Sequence, residues 1–213
     1  MGSGRGQTMD KIIEGDFCAY FTNENELLDA VFKLRHKIFV EYLKWIPSDP
    51  SMKETDNYDK YAIHLVAKAP ENKVVGYLRV IRGGEGIFML QNDFSMLNPF
   101  GNEINQPVAI EISRFCVEPS LSFLEKRLIA MLLYKTCYLW SLEQHLLIWY
   151  IVVTHRYFRV LRKEGFPFEI VSETDKFSPK FRTIHARLFL PTAQSHLSKL
   201  LSPFGRVKTL TFR

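Results

Sequence analysis

Two charged residues sit inside the clearest strand of the chain, residues 108–117 (VAIEISRFCV): Glu111 and Arg114. An unpaired charge buried there would be costly, so each needs a partner, a ligand or water. Their three-residue spacing gives them opposite parity in a regular strand. They line one cleft only if the strand bulges or the sheet opens beside it. A structural ion pair at a sheet edge is the alternative. Upstream, Arg35-x3-Phe39-x5-Trp45-x10-Asp56-x2-Asp59 puts a cation, two aromatics and two carboxylates on one helix and its following loop. Singly, the aromatics suit a core and the acids a solvated loop. Together they suit a flat, positively charged ligand held by stacking, cation–π attraction and ion pairing.

Local patterns say which elements hold these groups. Residues 22–44 read as helix: Asn23 with Glu26 resembles a capping box, and Leu27, Val31, Leu34 and Ile38 recur at helical spacing. Arg35, Phe39 and Tyr42 share another face. Pro47, Pro50 and the polar run to Asp56 form a loop. Strands are expected at 62–67 and 73–81 around the turn APEN, and 83–107 is mostly loop with a short helix near Phe94. After strand 108–117, a helix over 123–143 is apolar nearly all round, so it is packed on both sides. A buried strand at 146–154, a helix at 155–164 stopped by Gly165 and Pro167, and strands near 168–172 and 185–190 complete the order. Helices first, then antiparallel strands, then strand–helix–strand–helix–strand is an α+β or three-layer sandwich order. GGEG at 83–86 lacks the strand–Gly–helix context of a dinucleotide or P-loop motif.

The 213 residues, 46% hydrophobic and 24% charged, fit one soluble globular domain rather than a disordered chain. The longest apolar run, 146–154, is too short to span a bilayer. Residues 1–9, with no apolar signal-peptide core, read as disordered or appended. Cys18, Cys116 and Cys137 are too few and scattered for a disulfide framework, which places the chain in the cytoplasm. Six histidines and three cysteines show no ligand spacing, so no metal is expected. Charge is uneven: residues 1–106 carry a net −3 and residues 107–213 a net +8. The basic half could attract nucleic acid, a membrane surface or an acidic protein. A nucleic-acid-binding module is disfavoured, because no helix-turn-helix or RNP-like pattern appears and the polar residues cluster with acids.

RHKIFVEYLKW, ETDNYD, GYLRV, MLQNDFSMLNPFG and EISRFCV, in that order between about Arg35 and Gly165, resemble the LuxI-type acyl-homoserine lactone synthases. Arg35, Phe39, Trp45, Asp56, Asp59, Arg79, Glu111 and Arg114 match that family's functional positions. Leu78 stands before Arg79 where an aromatic is common. The resemblance implies a GNAT-type acyltransferase: a three-layer α/β/α sandwich with a mixed, mostly antiparallel sheet and a splayed central strand pair. It implies transfer of an acyl group from acyl carrier protein, or acyl-CoA, to the amine of S-adenosylmethionine. Lactonisation then releases methylthioadenosine and leaves a quorum-sensing signal. S-adenosylmethionine is a substrate, and no cofactor is implied.

On that resemblance Glu111, Arg114 and Asp56 are the expected catalytic residues, with Glu111 as base. Arg35, Phe39, Trp45, Asp59, Arg79 and Phe115 are expected at S-adenosylmethionine. Met131, Trp149, Ile151 and Val153 are expected along the acyl tail. Arg156, Arg159, Arg162 and Lys163 would form a basic face for an acidic carrier protein, or simply a solvated helix face. An N-acyl amino acid synthase of related fold, with an ordinary amino acid as acceptor, is the nearest rival reading.

Overall fold

Alternating apolar residues in the middle of the chain build a sheet that buries both faces. The structure, a computed structural model, describes residues 11–175 and 182–200. Its strands are β1 (Ile12–Glu14), β2 (Phe17–Thr22), β3 (Ala62–Lys68), β4 (Val74–Arg82), β5 (Ala109–Val117), β6 (Ile148–Thr154), β7 (Glu169–Thr174) and β8 (Thr183–Phe189). They lie in the order β1-β2-β3-β4-β5-β6-β8-β7. Every pairing is antiparallel except β5 with β6, which run parallel. That parallel ladder covers only Ala109–Ile112 against Ile148–Ile151. Beyond it β5 stays with β4 as far as Val117, and β6 stays with β8 as far as Thr154. The two central strands therefore splay.

Side-chain alternation sorts the sheet into two faces. Leu65, Ala67, Leu78, Val80, Ile110, Ile112, Trp149 and Ile151 pack with α3 (Phe123–Glu143), α4 (His155–Glu164) and α5 (Leu190–Leu200). Val66, Tyr77 and Cys116 pack with α1 (Asn25–Arg35) on the opposite face. A third cluster, around Phe88, Leu90, Leu97, Ile104 and Tyr150, lies under the 83–107 segment, which includes the short helix α2 (Met89–Asn92). This is the expected three-layer sandwich. Helix α3 starts on a capping box in which Ser122 Oγ accepts the Glu125 N–H and the Glu125 carboxylate accepts the Ser122 N–H. Helix α4 ends at Gly165 in the left-handed conformation (φ +96°), as its sequence anticipates.

Three local expectations fail. The hairpin β1–β2 precedes the first helix, so the order does not begin with helices. The Asn23–Glu26 capping box does not form: α1 begins after Glu24, and Thr22 Oγ1 accepts the Glu24 N–H instead. The helical stretch to residue 44 also changes period. After Arg35 it continues as a π-helix over His36–Tyr42, with the Leu43 N–H reaching the Ile38 carbonyl. The wider turn puts Phe39 inside while Tyr42, expected on the same face, is largely exposed. The expectation for residues 1–9 lies outside the described residues.

Candidate active site

The end of α1, the 54–59 loop, β4 and β5 bring three arginines and three carboxylates into a closed ring. Arg35 donates from Nε to Glu54 (2.5 Å) and from Nη1 to Asp59 (2.7 Å). Arg79 donates from Nη1 to Asp59 (3.0 Å) and Asp56 (2.5 Å). Arg114 meets Asp56 through Nη2 (2.7 Å) and Glu54 through Nε (3.2 Å). Each cation bridges at least two anions and each anion at least two cations, with a longer Arg35–Asp56 pair (4.0 Å) across the ring. The pairing answers the cost of burying Arg35 and Arg79, which are both fully inaccessible. Burial pushes the Asp59 carboxyl up, yet the adjacent Arg35, by charge and hydrogen bond, leaves it below the ordinary Asp range. Aromatic faces back the cations: Phe32 and Tyr77 lie 5.3 and 5.7 Å from the Arg35 guanidinium, Tyr58 5.6 Å from that of Arg79, and Phe39 5.7 Å from that of Arg114.

Glu111 lies beside this ring. Its two carboxylate oxygens accept the backbone N–H groups of Met89 (3.1 Å) and Leu90 (2.7 Å), at the start of α2. Burial raises its pKa to about 7, against the lowering effect of those two N–H donors and of Arg79 and Arg114. The Met89 sulfur sits 3.5 Å from Arg79 Nη2 and 3.4 Å from Arg114 Nη1, tying α2 to the ring. The parity conflict between Glu111 and Arg114 is resolved by a bulge. The β4–β5 register jumps between the pairs Tyr77–Cys116 and Arg79–Ser113, and Arg114 takes φ +49°. Arg114 thereby turns to the face that carries Glu111. The sheet also opens just past Ile112, so both anticipated solutions are present.

Of the residues expected at a cationic substrate, Arg35, Phe39, Asp56, Asp59, Arg79 and Arg114 converge here. Trp45 sits at the edge, its ring 6.1 Å from that of Phe39 and nearly half exposed. Phe115 does not join them. It faces α3 and α4, 5.4 Å from both the Tyr134 and Tyr157 rings, because the residue after the bulge returns to the other side of the sheet. Met131, Trp149 and Ile151 are buried on that same side, and Val153 packs against them. Trp149 is fully buried with its indole N–H donated to Ser141 Oγ (2.9 Å), which makes it a core residue rather than a pocket wall. Arg156, Arg159, Arg162 and Lys163 are exposed on α4, with Arg162 Nη1 also donating to the Phe168 carbonyl (3.3 Å).

Glu54 and Met89 belong to the site but were not singled out by sequence. Glu54 opens the ETDNYD segment, and its place beside Asp56 and Asp59 in that acidic run was the available signal. Met89, in an irregular loop, offered none.

A family profile described as autoinducer synthase matches residues 19–200. A curated acyl-homoserine-lactone synthase of Agrobacterium fabrum is 27% identical over 151 residues, covering 68% of this chain and 71% of that protein. Another, from Rhizobium radiobacter, is 30% identical over 102 residues, covering 47% of this chain. That match spans about half (48%) of the relative's own length. Among solved structures, the AHL synthase LasI superposes with a TM-score of 0.74 at 21% identity, covering 92% of this chain and all (100%) of LasI. BjaI, described as a CoA-dependent acyl-homoserine lactone synthase and solved with MTA, superposes at 0.69 with 20% identity, covering 86% of this chain and 89% of BjaI.

Proposed function

The chain belongs to the autoinducer synthase family, and on that premise we propose that it is an acyl-homoserine lactone synthase. The substrates are S-adenosylmethionine and an acyl thioester, carried by a carrier protein or coenzyme A. The observation that carries this reading is the juxtaposition of the ion ring and Glu111 with the splay between β5 and β6. One sheet face offers charged partners to a zwitterionic sulfonium substrate, and the other offers an apolar lane for an acyl chain.

The first step joins the substrate amine to the thioester carbon and releases the thiol. The ammonium must first lose a proton, and Glu111, directly or through a water, takes it. Arg114, at the partly open rim of the ring, orients the substrate carboxylate, while Asp56 and Asp59 face its cationic groups. Phe39 and Trp45 supply the aromatic wall, and Arg35 and Arg79 hold the carboxylates in place. In the second step the substrate carboxylate attacks the methionine γ-carbon. The carbon–sulfur bond breaks, the sulfonium charge is neutralised, and methylthioadenosine leaves. On the helix-bearing face, Val153 and Ile151 border the acyl tail, with Met131 behind them. A reducing cytoplasm suits three buried, unpaired thiols among the described residues.

The test is mass spectrometry of products formed from S-adenosylmethionine and a mixture of acyl thioesters. Methylthioadenosine together with an acyl-homoserine lactone is the expected result. An open-chain acyl amino acid without methylthioadenosine would replace this reading with the amino acid synthase. Failure to consume any donor would remove acyl transfer altogether.

A further inference from the structure

The glycine run at 83–86, which matches no phosphate-binding motif, folds the end of β4 against the segment that carries α2. A Cβ on Gly83 would collide with the Gln106 carbonyl oxygen, and one on Gly86 would come within 2.7 Å of Tyr61 Cβ, so the close approach requires glycine. Asn105 locks the turn. Its Oδ1 accepts the Gly84 N–H (2.8 Å), and its Nδ2 donates to the Gly86 carbonyl (2.7 Å) and to Gln91 Oε1 (2.8 Å). Gln91 Oε1 also accepts the Phe88 N–H (2.8 Å), while Gln91 Nε2 donates to Asn102 Oδ1 (3.0 Å). The next two N–H groups, of Met89 and Leu90, are the ones that Glu111 accepts (3.1 and 2.7 Å). A helix of four residues is too short to hold its own geometry, so its start must be fixed from outside. The side-chain amides of Gln91 and Asn105 fix it.

We infer that Gln91 and Asn105 are positioning residues for Glu111: by clamping the start of α2 they keep two N–H donors on its carboxylate and so favour the ionised form that takes the proton. The inference rests on the acyl-transfer reading above, with Glu111 as base. Both residues act through the backbone they hold rather than on the reacting atoms. Hydrogen bonds to the charged form of a buried carboxyl oppose the cost of its burial, so slackening them shifts the balance toward the neutral acid. Other groups act on Glu111 from the elements around it. Arg79 on β4 and Arg114 on β5 favour its charge. Tyr150 is its ladder partner on β6, and Tyr58 lies near it, bonded through its hydroxyl to Asp93 just past α2 (2.9 Å). Among the described residues none of these bonds to Gln91 or Asn105, so the amide clamp can be altered while they stay in place.

The experiment measures kcat/KM against pH for wild type, Gln91→Met and Asn105→Leu, with a pantetheine thioester as acyl donor. Gln91→Met keeps the side-chain length and removes all three bonds of the amide, whereas Asn105→Leu leaves Gln91 in place but unpinned. Both positions are partly exposed, and circular dichroism checks that the variants fold. The acid limb should move up by about one pH unit in Gln91→Met and by less, in the same direction, in Asn105→Leu. The KM for S-adenosylmethionine and the rate on the high-pH plateau should stay within roughly twofold. Should Asn105→Leu fail to fold, Gln91→Met decides alone. A uniform loss at every pH with the limb unmoved would make the clamp structural only, and overturns the assignment. So does a limb that stays put with no loss, or a rise confined to the KM for S-adenosylmethionine. Methylthioadenosine release by wild type, with an acid limb that Glu111→Gln removes, tests the underlying reading separately. If either is absent, the base assignment falls and the role of the clamp falls with it.

Discussion

Glu111 is pulled in two directions by its surroundings. Full burial disfavours its charge, while the Met89 and Leu90 N–H groups and two nearby guanidiniums favour it, and the balance places its pKa at about 7. A base poised there accepts a proton near neutral pH without being locked in either state. With Glu111 as the proposed base, activity is expected to fall as pH drops through about 7, because the carboxylate would be the working form. Replacing Glu111 by Gln should lower kcat/KM about 100-fold and flatten that acid limb, measured with a small thioester donor. A loss of only a few-fold would assign the proton to another group. The raised value also has a sign for stability. A proton held more tightly when folded than at the ordinary 4.5 stabilises the folded state at low pH, and that contribution is lost as pH rises from about 4.5 through about 7. At this scale the sequence was legible wherever unlike residue types sat at fixed spacing, as with Arg35, Asp56, Asp59, Glu111 and Arg114. It was silent on Met89, whose role comes from a sulfur placed between two guanidiniums by a loop with no local pattern.

Strand β4 shows how an element constrains the site it carries. Gly76 faces α3, and a Cβ added there would come within 2.6 Å of Ile129 Cγ2 and 3.2 Å of both Ala67 Cβ and Leu133 Cδ1. The missing side chain lets the all-round apolar helix settle onto the sheet, fixing the level at which Arg79, three residues along, enters the ion ring. Gly76→Val should destabilise the protein by about 3 kcal/mol through overpacking, read as a lower urea midpoint with an unchanged slope. A midpoint within error of wild type would mean that α3 can shift freely. Long elements such as α3 and β5 were legible because their apolar content runs for many residues. The hairpin β1–β2 was not: β1 has three residues, and the buried Glu14 that anchors it pairs with Lys135, far along the chain. The π-helix escaped for a related reason. Its apolar residues fit a 3.6-residue period, and the wider turn shows only in the i→i+5 bond from Leu43 to Ile38 and in the burial of Phe39 beneath Arg114.

For the molecule as a whole, the uneven charge of the sequence acquires a direction. Asp56 and Asp59, the first-half acids expected at the substrate, are paired with arginines in a largely buried ring. Much of the basic excess of the second half stays exposed on α4, where it acts through solvent. The two substrates should therefore respond differently to salt. Raising NaCl from about 0.03 M to about 0.3 M shortens the Debye length about threefold, which screens exposed charge far more than buried pairs. The KM for an acyl carrier protein donor should rise several-fold over that range, while the KM for S-adenosylmethionine changes less than twofold. Steady-state kinetics with each substrate varied in turn gives both numbers. Equal sensitivity would mean that the ring is open to solvent when the substrate arrives. Insensitivity of the carrier-protein KM would mean that α4 is merely a solvated face.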